Sequence, residues 1–416
     1  MLVQALYNVV DSVFVSRVGE EALTAVTLAF PMQNLMIALG SGTGVGVNAL
    51  LSRSLGEKAF HRSDAAANTS ILLTLCNYVA FVLIGIFGVA PFITSQLKNA
   101  PTSDPAALAL ISSYGNDYLR IICLFSLGVF LQINAERLLQ ATGRTFFSMI
   151  SQATGAIINI ILDPILIFGY FGLPAMGVAG AAYATIIGQC IGATLALTFN
   201  LKKNTDIHLH VSEIFKPQAD IVKEIYFVGI PSILMMSIGS VMTYAFNLIL
   251  MVFSTTAATV FGIYFKLQSF FFMPIFGLNN GLVPIVSYNY GARNKARIKE
   301  ALRFALLLAV CIMTIGTIVF MTIPGTLLLM FKASPDMLGI GKTALRIICV
   351  HFPVAAVCII LGSTFQAFSK SYYSLIVSCC RQLVVLIPVA YLLSLTGVVS
   401  NVWWAFPIAE VASLTI

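Results

Sequence analysis

Two aspartates, Asp11 and Asp163, stand well inside long apolar stretches of this 416-residue chain. Most of its sixteen acidic residues lie instead in polar connections or at stretch ends. A carboxylate surrounded by hydrocarbon costs about 2.5–3.5 kcal/mol even on the most lenient scale, so each such residue is a candidate for function. Asn159 precedes Asp163 by four positions, which places both on one face of a helix. Pro164 follows at once; a proline within a helix frees a backbone carbonyl and favours a bend. Two carboxylates brought together in a low dielectric cannot both stay ionised cheaply, and either a proton or a sodium ion would neutralise the pair. Reversible cation binding is the chemistry these residues suit. The plainer alternative is that each aspartate bonds a neighbouring helix.

Other residues that might carry chemistry do not. Glu136 sits beside Arg137 near a stretch end, which suits a structural ion pair, and nothing in the sequence assigns a role to Glu410 in the final stretch. The segment Asp336 to Thr343 ends in Gly-Lys-Thr but has Asp336 where a phosphate-binding loop needs its first glycine. Gly40, Gly42, Gly44 and Gly46 fall within an apolar stretch and suit close helix contact or bending. The eight cysteines all lie in apolar segments without C-x-x-C spacing and read as buried thiols. His61, His208 and His210 are loop residues, His351 has no ligand-like neighbour, and the Asn68-Thr69-Ser70 sequon falls at a helix start on the expected cytoplasmic side.

The elements that must position Asp11 and Asp163 follow from composition. Hydrophobic residues make up 59% of the chain and charged residues 9%, with a mean hydropathy of +0.94. A soluble domain carries roughly 25% charged residues, so no water-facing surface can be assembled here. Apolar runs of spanning length fall near 1–18, 22–52, 66–97, 108–138, 146–170, 176–201, 221–253, 257–288, 301–331, 338–368, 372–396 and 401–416. Twelve helices are therefore expected. The first run begins at Met1 and the last is still apolar at Ile416, so both ends are expected to be clipped. Basic residues concentrate in alternate connections (Arg53, Lys58, Arg62; Lys202, Lys203; Arg293 to Arg303), while the opposite ones hold chiefly Arg17, Lys98, Lys332 and Lys342. The bias places the chain start and the loop 202–220 in the cytoplasm. The net charge of +7 reflects these loops rather than a nucleic-acid surface.

The polar stretch 202–220 divides the chain into lobes 1–201 and 221–416, each with six helices. The lobes repeat. Gly46 to Gly56 matches Gly281 to Gly291, and Leu139 to Ile150 matches Phe365 to Ile376. Repeats of equal orientation imply an axis along the membrane normal and a cavity between the lobes. In this register Asp11 faces Leu250, while Asn159 and Asp163 face Leu383 and Ile387. Cation coupling is therefore expected in the N-terminal half alone.

The segments Met1 to Pro31, Gly40 to Gly56 and Asn159 to Pro164 resemble the multidrug and toxic compound extrusion (MATE) family, in its DinF-like bacterial branch. The resemblance covers nearly the whole chain and implies an all-α membrane fold of two pseudo-symmetric six-helix bundles. It further implies a monomeric multi-pass protein of a bacterial inner membrane, not an enzyme. Such a protein exports organic, cationic or aromatic drugs in exchange for protons or sodium, with no other cofactor and no nucleic-acid partner. The family's cation site maps onto Asp11, Asn159, Asp163 and Thr185, which would hold the proton or Na+, and substrate contacts map onto Gln4, Tyr7, Asn134 and Gln189. A second family site, with a Glu on the seventh helix and an Asp on the tenth, has no acid to match it here. The alternative is a flippase for a lipid-linked precursor, whose pyrophosphate needs several cations; only Lys266 and Arg381 stand out within spans.

Overall fold

The computed structural model describes residues 10–11, 13–97, 104–331 and 334–415, and every regular element among them is helical. In chain order these are α1 (10–11 and 13–16), α2 (Glu20–Gly56), α3 (Phe60–Leu97), α4 (Pro105–Leu124), α5 (Leu127–Ala141), α6 (Thr145–Phe168), α7 (Gly177–Lys203) and α8 (Val211–Ile214). There follow α9 (Ala219–Met251), α10 (Thr255–Gly291), α11 (Lys295–Thr322), α12 (Pro324–Leu329), α13 (Pro335–Ala367), α14 (Ser371–Ser394), α15 (Val399–Val402) and α16 (Ala405–Thr415). Helices dominate because a chain in hydrocarbon must satisfy its own backbone groups. Asp104, Ser254, Asn294 and Ser334 cap four of these helices by accepting from backbone N–H groups just inside.

Among the described residues, nine helices are long and apolar enough to cross a bilayer, and the pair α4 and α5 makes a tenth, bent by 47°. The two other expected spans are the first, of which 1–9 lie outside the described residues, and the last, which divides into α15 and the 11-residue α16. The expected span 108–138 is thus broken at 125–126. There Ser126 donates its hydroxyl to the Cys123 carbonyl at 2.8 Å, a side-chain bond that competes with the helical ladder. The expected span 301–331 breaks where Ile323, ahead of Pro324, leaves helical geometry at φ −125° and ψ 38°.

Contacts divide the chain into two compact units, one ending at Tyr226 and the other beginning at Phe227, within α9. The first unit packs Phe81, Tyr118, Leu119 and Phe130 at its centre. The second has an aromatic core in which Phe246, Phe261, Tyr264, Trp403 and Phe406 lie ring against ring.

The sequence repeat returns as repeated hydrogen bonding. α2 and α10 end in the same left-handed turn, with Lys58 at φ 58° and Arg293 at φ 56°. In each turn the next N–H closes a long loop back into the helix: Ala59 to the Ser54 carbonyl and Asn294 to the Asn289 carbonyl, both at 2.9 Å. A second turn recurs after Ala141 and Ala367, with Gly143 at φ 76° and Ser369 at φ 57°. Each of those alanines then accepts a serine hydroxyl inside its own unit. Ser52 donates to the Ala141 carbonyl at 3.0 Å, and Ser287 to the Ala367 carbonyl at 2.9 Å.

The stretch 202–220 does not run free. Asn68, 1% exposed on α3, accepts from the His210 N–H at 2.9 Å and donates to the His208 carbonyl at 3.0 Å and to Glu213 at 3.3 Å. Asp64, one turn earlier, accepts from the His208 N–H at 2.7 Å. Arg62 adds an ion pair to Glu224 at 2.5 Å. Asn68 is therefore a clamp, its amide nitrogen fully engaged. Asn68→Ala should destabilise the first unit by about 1–3 kcal/mol, since it removes the bonds that hold His208, His210 and Glu213 to α3. Limited proteolysis of inside-out vesicles checks this: cleavage within 202–214 should accelerate in the variant, and an unchanged rate would show that the clamp does not hold the loop.

Candidate functional site

Helix α6 carries Asn159 and Asp163 on its buried face, 3% and 0% exposed. Pro164 cannot donate to the Ile160 carbonyl four residues back, so the helix is polar on this side in its backbone as well as its side chains. Helix α7 crosses α6 at backbone contact. A Cβ added at Gly155 would stand 2.8 Å from the Gly188 carbonyl oxygen, and one at Gly188 would stand 2.6 Å from that of Gly155. Only glycine at both positions permits this approach. The crossing brings Thr185, one turn before Gly188, to Asn159, whose Nδ2 donates to the Thr185 hydroxyl at 3.2 Å. The same nitrogen lies 3.4 Å from Asp163 Oδ1.

Asp11 reaches this group from α1. Val15, one turn along, is fully buried in the core that also holds Ile167, Val178, Ala181 and Ala182. Phe14 meets Phe168 edge-on, with centroids 6.4 Å apart. These contacts dock α1 where α6 ends and α7 begins, with Asp11 8% exposed and its carboxylate close enough to Asp163 for the two charges to interact.

The four expected residues Asp11, Asn159, Asp163 and Thr185 therefore share one site. Among the described residues, three of its buried oxygens have no hydrogen-bond donor: Asp11 Oδ1, Asn159 Oδ1 and Asp163 Oδ2. Buried acceptors left without a donor are uncommon in proteins. All the donor atoms of the set are hard oxygens, which suit a proton or an alkali cation better than a thiophilic metal. The asparagine amide is oriented by giving its nitrogen to Asp163 and Thr185, and its oxygen is the group left unpaired.

Of the expected substrate residues, Gln4 and Tyr7 lie outside the described residues. Asn134 is buried on α5, and Gln189 is half-buried one turn beyond Thr185. Neither is among the hydrogen-bond partners that join the trio. Glu136 accepts from Gln132 at 2.9 Å, and Arg137 donates to Gln140 at 3.0 Å, while the two charges attract one another. Sequence reasoning did not single out Gly155 and Gly188. Their signal was the recurrence of small residues along α6 and α7, at positions whose pairing only the crossing reveals.

Buried oxygen ligands among apolar helices of spanning length mark the chain as a membrane transporter. Comparison with known proteins places it further. The chain belongs to the MatE family, whose model matches residues 1–165 and 231–392. It is 28% identical over 410 residues to the multidrug export protein MepA of Staphylococcus haemolyticus, covering 98% of this chain and 87% of that one. It is 27% identical, with the same coverage, to MepA of Staphylococcus aureus strain MSSA476. Among solved structures it matches an outward-facing multidrug-resistance MATE transporter of the MOP superfamily, with a TM-score of 0.89, 26% identity, and 100% and 90% of the two chains covered. It also matches a MOP-superfamily transporter from Pyrococcus furiosus, reported for the reversed polarity of its binding pocket, with a TM-score of 0.88, 25% identity and the same coverage. The apolar helices and bacterial relatives make this a multi-pass plasma-membrane protein.

The glycine crossing should be indispensable. Gly188→Val should separate α6 from α7 and break the Asn159–Thr185 bond, lowering stability by about 1–3 kcal/mol. Thermal unfolding of the purified protein checks this against Gly262→Ala, whose added methyl meets nothing within 4 Å. Equal midpoints for the two variants would contradict the crossing.

Proposed function

We propose that this chain is a secondary antiporter that exports organic compounds, cationic or aromatic in character, in exchange for protons or sodium. The observation that carries the reading is the set of unpaired buried oxygens on Asp11, Asn159 and Asp163. An uncompensated carboxylate pair in a low dielectric demands a cation, and the demand is met differently as the site opens to water on either side. Asp11 and Asp163 are the cation acceptors, and Asn159 and Thr185 orient and complete the site. The names of the staphylococcal relatives supply the class of cargo.

Coupling follows if cation and drug favour opposite states of the transporter. A ligand shifts an equilibrium only by its differential affinity for the two states, and the linkage is reciprocal. Cation loading then favours drug release, and alternating access carries the drug out. The flippase alternative is not favoured. A pyrophosphate groove needs several available cations, and of the two basic residues that stand out within spans, Lys266 and Arg381, the second is already engaged by Glu410.

Asp163→Asn removes the charge while keeping the shape, and should abolish drug efflux from cells expressing it. Export at the wild-type level by that variant would overturn the coupling role. Thr185→Ala should retain export but raise the half-saturating cation concentration about tenfold, the equivalent of one lost hydrogen bond. Drug transport into everted vesicles, driven first by a sodium gradient and then by a pH gradient, measures both effects and identifies the ion.

A further inference from the structure

The second unit contains a buried charge pair for which the coupling site has no use. Glu410 on α16 is 4% exposed. Arg381 Nη1 reaches both of its carboxylate oxygens, at 3.1 and 3.0 Å. The arginine side chain is itself only 26% exposed, and it projects from a π-helical segment, Cys380–Leu386, within α14. Such wide turns are rare and concentrate at functional positions, because the extra residue re-aims the side chains of one helix face. The other groups facing Glu410 include no second guanidinium or ammonium. They are Tyr264 from α10, and His351 and Cys358 from α13. His351 Nδ1 is committed to the Ile348 carbonyl at 2.5 Å, and Cys358 Sγ to the Glu410 carbonyl at 4.0 Å.

The position of this pair in the repeat is informative. Arg381 and Glu410 belong to the fifth and sixth helices of the second half; Asn159, Asp163 and Thr185 belong to the fifth and sixth of the first. Continuing the register that sets Pro164 against Pro388 places Thr185 against Ala409, the residue before Glu410. Both halves thus bury an acid where these two helices meet. In the first half one oxygen of the acid, Asp163 Oδ2, has no donor among the described residues, whereas in the second the acid is gripped by a guanidinium.

We propose that Arg381 is a built-in counter-ion that occupies, permanently, a latent cation site formed around Glu410. The inference rests on the coupling role proposed above for the first unit. On this reading Glu410 adds no exchangeable ion of its own, because its cation is part of the chain. Removing the arginine charge alone leaves a carboxylate that must bind a proton or sodium. Removing both charges leaves nothing to titrate.

The test is infrared spectroscopy of the reconstituted full chain carrying Asp11→Asn and Asp163→Asn, which removes the coupling-site carboxyls; the Glu410 band is read as the difference from the same chain carrying Glu410→Gln, in which Glu136 and the other acids cancel. With Arg381 present, Glu410 should show no protonated-carboxyl band as pH is lowered through the physiological range. Arg381→Leu should add one such band, sodium should diminish it, and Glu410→Gln in addition should abolish it. A Glu410 band with Arg381 intact, or none in Arg381→Leu, would overturn the proposal. The result is independent of whether the first unit couples transport, which Asp163→Asn efflux decides separately. If Arg381→Leu does not fold, the double variant Arg381→Leu/Glu410→Gln, in the otherwise natural chain, carries the test. Export with an unchanged ratio of cation to drug supports a silent pair, and a changed ratio refutes it.

Discussion

Water is absent from the hydrocarbon interior, so each polar group there must find its partner within the chain. The constraint is visible in small bonds as much as large ones. Thr74 returns its hydroxyl to Ser70, Ser232 to Val228 and Thr364 to Ile360, each to a carbonyl four residues back along its own helix. Ser52 and Ser287 instead cross to a neighbouring helix. Against that background of satisfied groups, an unpaired buried oxygen is informative. The cost of leaving it so is about 1–3 kcal/mol, more for a charged group. Three such oxygens in one place carry the proposal of a cation site.

The site also depends on how closely two backbones can approach. Hydrocarbon provides little drive for helix association, so association depends on packing and on shared hydrogen bonds. Gly155 and Gly188 supply the first, and Asn159 with Thr185 the second. The two cooperate: without the small residues the hydroxyl would be out of reach of the amide, and without the bond the crossing would carry a buried polar group at a loss. Asp11 arrives by a different route, through the apolar docking of Val15 and Phe14. A charged residue is thus placed by uncharged neighbours, which leaves its carboxylate free to meet a cation.

Much of this was legible in the sequence, and what was not shares one cause. Composition and run length are local properties, and they located the helices to within a few residues. The i, i+4 spacing of Asn159 and Asp163 is local too, as is the place of Asp11 inside an apolar run, and the family resemblance supplied Thr185. The breaks at Ser126 and Ile323 left hydropathy undisturbed, because a kink changes direction and not composition. Asn68 read as an incidental sequon because its partners lie about 140 residues away. Glu410 could not be assigned because its partner, Arg381, belongs to a different helix. In each case the information resides in which helices touch, and no single-segment period encodes that.

The repeat makes the asymmetry of the chain interpretable. Both halves keep the left-handed turns and the serine-to-carbonyl bonds, as expected for features that serve the backbone alone. They differ in how the buried acid is compensated. An exchanger needs a charge whose partner can leave, and a partner can leave only if it is not covalently part of the protein. A guanidinium on the next helix neutralises a carboxylate as well as sodium does, and with better geometry, but it has nowhere to go. Two copies of one architecture can therefore hold the same kind of acid and differ wholly in function, according to whether the counter-ion is borrowed from solution or encoded in the chain.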